Sequence, residues 1–246
     1  MKVNILGVKI DDVDILQVVD QVEEWLKKDG KHYIVTPNPE IVVMAQKDLE
    51  LKNIINNAEL AIPDGVGLKL ATDIENTTPG VDVMEELVKM AAEKGFTIGF
   101  LGGRDQVAKE VKERLLKKYP KLKVNFADSG GEVDKNGDVI ARSEATKQSK
   151  KRLPRPFGAR NDESIDILFV AFGPPKQEKW IAKNLEKIPV KVAMGVGGAF
   201  DYISRKVPRA PVFIRKIGFE WLFRLVVQPW RIKRQLALIK YLFMLL

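Results

Sequence analysis

The sequence predicts an α/β fold, a mainly parallel sheet with helices on both faces, followed by a C-terminal basic amphipathic helical appendage. Three observations predict it. Short β-branched runs alternate with stretches whose apolar residues recur every three or four positions, the pattern of βαβ units. Five of those runs end in clusters of Gly, Pro, Asn or Asp, as strand-to-helix turns do. From about Pro211 the composition shifts to Trp, Phe, Leu, Ile, Arg and Lys.

In chain order, residues 3–5 and 8–10 around Gly7 predict a small hairpin. Strands are expected at 33–35, 60–63, 97–101, 122–126, 165–172 and 190–194, with amphipathic helices at 16–26, 81–92 and 106–118. This alternation is Rossmann-like. Residues 128–163 interrupt it. Ser129-Gly130-Gly131 and Asn136-Gly137 mark turns there, no helical or strand periodicity is present, and a basic, Pro-containing insertion is expected at about 139–162. The domain reading is one α/β unit over 1–207 and an appendage over 208–246, which Pro229 breaks into two helices.

Composition narrows the chemistry. The 246 residues suffice for a real core, and the absence of cysteine excludes disulfides and thiolate metal sites. A single histidine, His32, excludes multi-His zinc sites and leaves a Ser-His-Asp triad one base. Carboxylates, amides, hydroxyls and cations must carry the reaction. No run of about 18 or more apolar residues is present and the N-terminus does not resemble a signal peptide, so a cytoplasmic protein is expected.

The net charge of +8 is local. Residues 141–160 hold seven basic residues against Glu144, and 205–246 hold ten against Glu220, so the remainder is mildly acidic. That distribution argues against a general nucleic-acid binder. Trp221, Phe223, Trp230, Tyr241 and Phe243 interleave with Arg215, Arg224, Arg231, Arg234 and Lys240, a pattern suited to the headgroup–acyl boundary of an anionic membrane. The alternative is a helical hairpin packed on the body or on a second subunit. The final residues from Tyr241 to Leu246 are expected to be exposed.

Ligands of open parallel sheets bind beyond the carboxyl ends of the strands. Thr36-Pro37-Asn38-Pro39-Glu40, Asp64-Gly65-Val66-Gly67, Gly102-Gly103-Arg104-Asp105, Gly173-Pro174-Pro175-Lys176-Gln177 and Gly195-Val196-Gly197-Gly198-Ala199-Phe200-Asp201 occupy those ends. Each has a plainer reading: Asn38 and Asp64 as helix caps, Gly102-Gly103 as a tight turn, Arg104 and Lys176 as solvated charges. The dinucleotide fingerprint G-x-G-x-x-G is missing, which weighs against a dehydrogenase.

These segments, with Gly80-Val81-Asp82, Lys176-Gln177-Glu178-Lys179-Trp180 and Arg209-Ala210-Pro211, together resemble the WecG/TagA/CpsF family of bacterial glycosyltransferases in family order. The resemblance implies an inverting, metal-independent transfer of an N-acetylhexosamine from a UDP-sugar to a polyprenyl-diphosphate-linked sugar, without a cofactor. Its TagA-like branch adds N-acetylmannosamine to lipid-linked N-acetylglucosamine for wall teichoic acid, at the cytoplasmic face of the cell membrane. It implies Asp64 as general base and Thr36, Asn38 and Gln177 in the substrate pocket. Arg224, Arg231 and Arg234 would clamp the lipid diphosphate, and Gly102 and Gly103 are inferred to offer backbone donors to the donor's diphosphate. An N-acetylmannosaminuronic acid or glucose donor, a weakly active homologue, a non-catalytic membrane adaptor and self-association through the apolar appendage stay open. One departure is clear. Family members carry an arginine shortly before Gly-(Val/Ile)-Asp, whereas here Thr77 stands near that place, so either Arg104 or Lys176 substitutes or activity is reduced.

Overall fold

The computed structural model describes residues 1–140 and 164–245, so the basic insertion expected at 139–162 lies outside the described residues except for its first two. The chain opens with the expected antiparallel hairpin, β1 (Lys2–Ile5) and β2 (Val8–Asp11). Asp14 accepts the Gln17 N–H and the Gln17 side chain accepts the Asp14 N–H, a capping box that starts α1 (Ile15–Leu26). Val18, Val22 and Leu26, four residues apart, form its buried face.

Then follow β3 (His32–Val35), α2 (Pro39–Ala45), α3 (Leu49–Asn56), β4 (Leu60–Ala61), α4 (Gly80–Lys94), β5 (Thr97–Gly102), α5 (Val107–Lys118) and β6 (Lys123–Asp128). After β7 (Glu132–Val133) and β8 (Val139–Ile140) come β9 (Ile165–Ala171), α6 (Lys176–Asn184), β10 (Val190–Gly195) and α7 (Ala199–Ile203). Six strands form one sheet in the order β4-β3-β10-β9-β5-β6, and every neighbouring pair is parallel. The chain runs from β3 to one edge and from β5 to the other, then fills the centre with β9 and β10. Their carboxyl ends therefore flank a crevice at the switch of direction.

Both faces are covered, as the near-continuous apolar runs require. In β9, Ile167 and Phe169 join the core beneath α1, α4 and α5, while Leu168 and Val170 join the one beneath α6. A third cluster gathers β1, β2, α2 and α3.

Three expectations change. Residues 128–140 are not without structure: Asp134 accepts the Asn136 and Asp138 N–H groups and closes a β7–β8 hairpin, and Val133 is buried in the α6 core. The signal was too short for periodicity to reveal. The segment after Pro211 holds three helices rather than two: α8 (Val212–Lys216), α9 (Glu220–Val227) and, after a 3-10 turn at Pro229–Arg231, α10 (Ile232–Leu245). The expected exposed end is divided. Tyr241 is wholly buried in the cluster beneath α2, whereas Phe243 is 73% exposed. Among the described residues no helix is long and apolar enough to cross a membrane.

Candidate active site

A cleft of about 1550 Å³ lies at the carboxyl ends of the strands and is roofed by the appendage. Its floor is built by the turns that the sequence marked. Beyond β4, the Asp64 N–H donates to the Pro37 carbonyl (2.9 Å) and the Thr78 N–H to the Pro63 carbonyl (2.8 Å). Gly65 takes φ +90°, a value open to glycine, and the chain turns into a 3-10 segment at Val66–Ala71. Asp64 is left half-buried at the cleft, one carboxylate oxygen accepting the Gly80 N–H at 3.3 Å. Burial pushes its carboxyl up to about 6; the Gly80 N–H and Arg224 oppose this, while Glu220 and Asp82 add to it.

Around Asp64 the other expected residues fall into unequal roles. The Thr36 hydroxyl donates to the Gly195 carbonyl at 3.3 Å, joining the ends of β3 and β10. Asn38 lines the cleft and also caps α2, accepting the Ile41 N–H at 3.1 Å. Gln177 touches the cleft, but its side chain is engaged in the fold: Oε1 accepts from the Gly173 and Gly197 N–H groups (3.1 and 3.0 Å), and Nε2 donates to Glu178 (2.9 Å). It ties the loops after β9 and β10 together.

The glycine pair differs from expectation. Gly102 lies inside β5, where a Cβ would stand 2.7 Å from the Ala171 carbonyl carbon, and it does not line the cleft. Gly103 lines it, but its N–H is donated to the Ala171 carbonyl at 3.0 Å and is not a free donor for phosphate. Close packing of β5 on β9 explains Gly102, whereas Gly103 takes φ +77° and a Cβ there would stand 3.1 Å from Val107 of α5.

The arginines of the appendage converge on the cleft, again in different states. Arg224 lies over the Tyr202 ring at 4.5 Å and beside Gly198, 3.8 Å from Asp201, with a buried Nη2 that lacks a hydrogen-bond partner. The Nε of Arg231 is likewise buried and unpartnered. Burial, with Arg224 and Arg234 nearby, pushes the Arg231 guanidinium down to about 10, so it stays cationic at neutral pH. Arg234 is instead spent on Glu40, its Nε 2.7 and 2.9 Å from the two carboxylate oxygens and its Nη2 at 2.7 Å. That pair fastens α10 to α2. Among the described residues, Arg224 and Arg231 are the two arginines with a buried donor that lacks a partner.

Sequence reasoning missed a second fastening. Arg209 forks onto Asp82, the third residue of α4, at 2.6 and 2.7 Å, and its Nε reaches Glu220 of α9 at 3.2 Å. Burial works against its charge, but Asp82 and Glu220 hold it above the usual arginine range. Arg215 approaches Asp82 at 3.8 Å. Both Arg209 and Asp82 belong to quoted motifs, yet nothing local shows that they meet across 127 positions. Asp11 and Asp12 hold backbone: Asp11 accepts the Ala61 N–H, and Asp12 accepts those of Glu75 and Asn76. Thr77 lies exposed at the cleft on the loop so fixed; Arg104 and Lys176 line the cleft too, Lys176 donating to the Val133 carbonyl.

The glycosyl transferase WecG/TagA/CpsF family model matches residues 3–246. The chain is 33% identical over 225 residues to an N-acetylglucosaminyldiphosphoundecaprenol N-acetyl-beta-D-mannosaminyltransferase of Bacillus subtilis (strain 168), covering 86% of this chain and 80% of that protein. To the protein of the same name in Staphylococcus aureus (strain MRSA252) it is 30% identical over 240 residues, 95% of this chain and 87% of the other. A site of strand-end loops roofed by arginines, on a chain matched almost from end to end, places this enzyme in the WecG/TagA/CpsF family of glycosyltransferases.

Proposed function

We propose that the enzyme transfers N-acetylmannosamine from its UDP-sugar to N-acetylglucosamine on a polyprenyl diphosphate, with inversion and with Asp64 as general base. The observation that carries this reading is one cleft holding a half-buried carboxylate and two guanidinium groups with unmet donors. The acceptor hydroxyl oxygen attacks the anomeric carbon, its proton passes to Asp64, and UDP leaves with the electron pair of the broken C–O bond. Arg224 and Arg231 offer charge-assisted donors to diphosphate oxygens. The relatives' names support the sugar and the acceptor.

The test is UDP release across a panel of UDP-sugars, with a short-chain lipid-diphosphate-N-acetylglucosamine acceptor and with EDTA present. Turnover should be fastest with the N-acetylmannosamine donor and should survive EDTA. Preference for the uronic acid or for glucose would overturn the donor assignment, and loss of activity in EDTA the metal-free mechanism.

The same reading places the enzyme peripherally on the cytoplasmic face of the membrane, the appendage against anionic lipid. Of sixteen large apolar side chains strongly exposed among the described residues, eleven lie beyond Pro211, including Phe213, Val226 and Trp230. Such a concentration, set among basic residues, fits the headgroup boundary better than water. Full-length protein should float with anionic vesicles. A variant carrying Phe213→Asp, Val226→Asp and Phe243→Asp should stay in solution yet still turn over the short-chain acceptor. Equal flotation of the two would defeat the membrane reading, and a dimer split by the same changes would assign the surface to self-association.

A further inference from the structure

Glu178, at the start of α6, is fully buried, and the reaction scheme above does not use it. Its Oε1 accepts the Gln177 amide N–H at 2.9 Å, and its Oε2 has no partner. Among the described residues no cation pairs with it. The charged groups on the elements packed against α6 are engaged elsewhere. Asp48 and Glu50 at the start of α3 both bind Lys179, and Lys52 of α3 donates to Gln46. Asp166 of β9 accepts the Thr97 N–H and faces Lys191 of β10. On α6 itself, Lys176 bonds the Val133 carbonyl and Lys183 binds Asp138, while Glu186 and Lys187 lie on the turn after it. A carboxyl so placed weakens the fold, and groups kept at such a cost are most often tied to a site.

The geometry shows what it would do. A glutamine amide can be turned either way about its last bond, and only one way lets Oε1 receive both loop N–H groups. In that orientation Nε2 must find an acceptor inside the core, and Glu178 supplies it. The two N–H groups so held, those of Gly173 and Gly197, belong to loops that line the cleft.

We propose that Glu178 is a positioning residue that fixes the Gln177 amide and, through it, the two strand-end loops at the floor of the transferase site. The inference rests on the cleft being the transferase site. Burial pushes the Glu178 carboxyl up to about 7, so it is largely protonated in acid and ionises as the medium turns alkaline. Ionisation then places an unpaired charge beneath the loops.

The test compares wild type with Glu178→Leu and Glu178→Gln by melting temperature, amide hydrogen exchange and the pH profile of turnover. Leu removes the carboxyl but keeps the volume, so it should melt no lower than wild type. It should nevertheless lose protection at the Gly173 and Gly197 amides, and kcat should fall by about 10²-fold through loop misplacement. Gln keeps an acceptor for Nε2, so protection and kcat should be retained, and the alkaline decline of wild type above about pH 7 should vanish. A Glu178→Leu protein that folds and keeps both its protection and its kcat overturns the proposal. So does a Gln variant that fails to rescue. If no variant, wild type included, shows transfer, the functional reading fails, and the exchange measurement still decides whether Glu178 holds the loops.

Discussion

Asp64→Asn is expected to lower turnover by about 10²–10⁴-fold, the usual worth of a general base, while the protein becomes more stable. The two effects share a cause. Burial raises the carboxyl from an ordinary 3.8 to about 6, which makes it a base still ionised at neutral pH and able to take a hydroxyl proton. In wild type, kcat should rise as pH passes through about 6 and fall again above about pH 7, where Glu178 ionises. Stability should run the other way. The native state holds a proton that the unfolded chain has already released between about pH 4 and pH 6, so stability falls across that window as pH rises. Asparagine removes the dependence and can still accept the Gly80 N–H. The shift caps the gain at roughly 3 kcal/mol, and water on the open side of the group brings it to about 1–2 kcal/mol. Thermal melts at pH 4 and pH 7.5 and a pH–rate profile decide the matter. Wild-type turnover in Asp64→Asn would end the base assignment.

Arg231→Ala should cost about 10²–10³-fold in turnover, the loss typical of removing one donor from a charge-stabilising site. It should not cost stability. Arg231 is half-buried beside Arg224 and Arg234, and its Nε meets no acceptor in the protein, so its removal relieves repulsion and leaves no partner orphaned. Arg234→Ala makes the contrast. It strips Glu40 of its bidentate partner and undocks one end of α10, so the melting temperature should fall and turnover should follow from lost docking. Gly198→Ala provides an independent check. The new methyl would lie 2.4 Å from Arg224 Nη2, at the far end of a flexible side chain, so the fold survives while Arg224 is displaced. Melting curves and kcat for the variants separate these outcomes. If Arg231→Ala keeps full turnover with short-chain acceptor, the arginines do not form the anion site.

The sheet and the floor of the site were legible because each depends on neighbours in sequence. Near-continuous apolar runs in β9 and β10 and glycine or proline at their ends are local signals, and Asp64 stands just beyond a strand end. What could not be read depends on partners. Arg231 and Arg234 lie three residues apart and look alike, yet a carboxylate 194 positions away engages one of them and not the other. The resemblance alone put Gln177 in the pocket; it lines the cleft, and that its amide also joins two loops depends on partners far along the chain. Glu178 stood in a quoted motif with no role of its own, and only the packing of α6 on the sheet buries it. The Gly102-Gly103 pair resembled a phosphate cradle, although the Gly103 N–H completes the β5–β9 ladder.

The cleft draws its carboxylate from the sheet and its unmet guanidinium donors from the appendage. An anion lodged between them belongs to the docked arrangement alone, so thermodynamic reciprocity applies: whatever docking does for the ligand, the ligand does for docking. At a concentration one hundred times its dissociation constant, such an anion would add about 2.7 kcal/mol to the docked state. Substrate and roof thus stabilise one another, and lipid that orders the helices would raise affinity for a diphosphate it never touches.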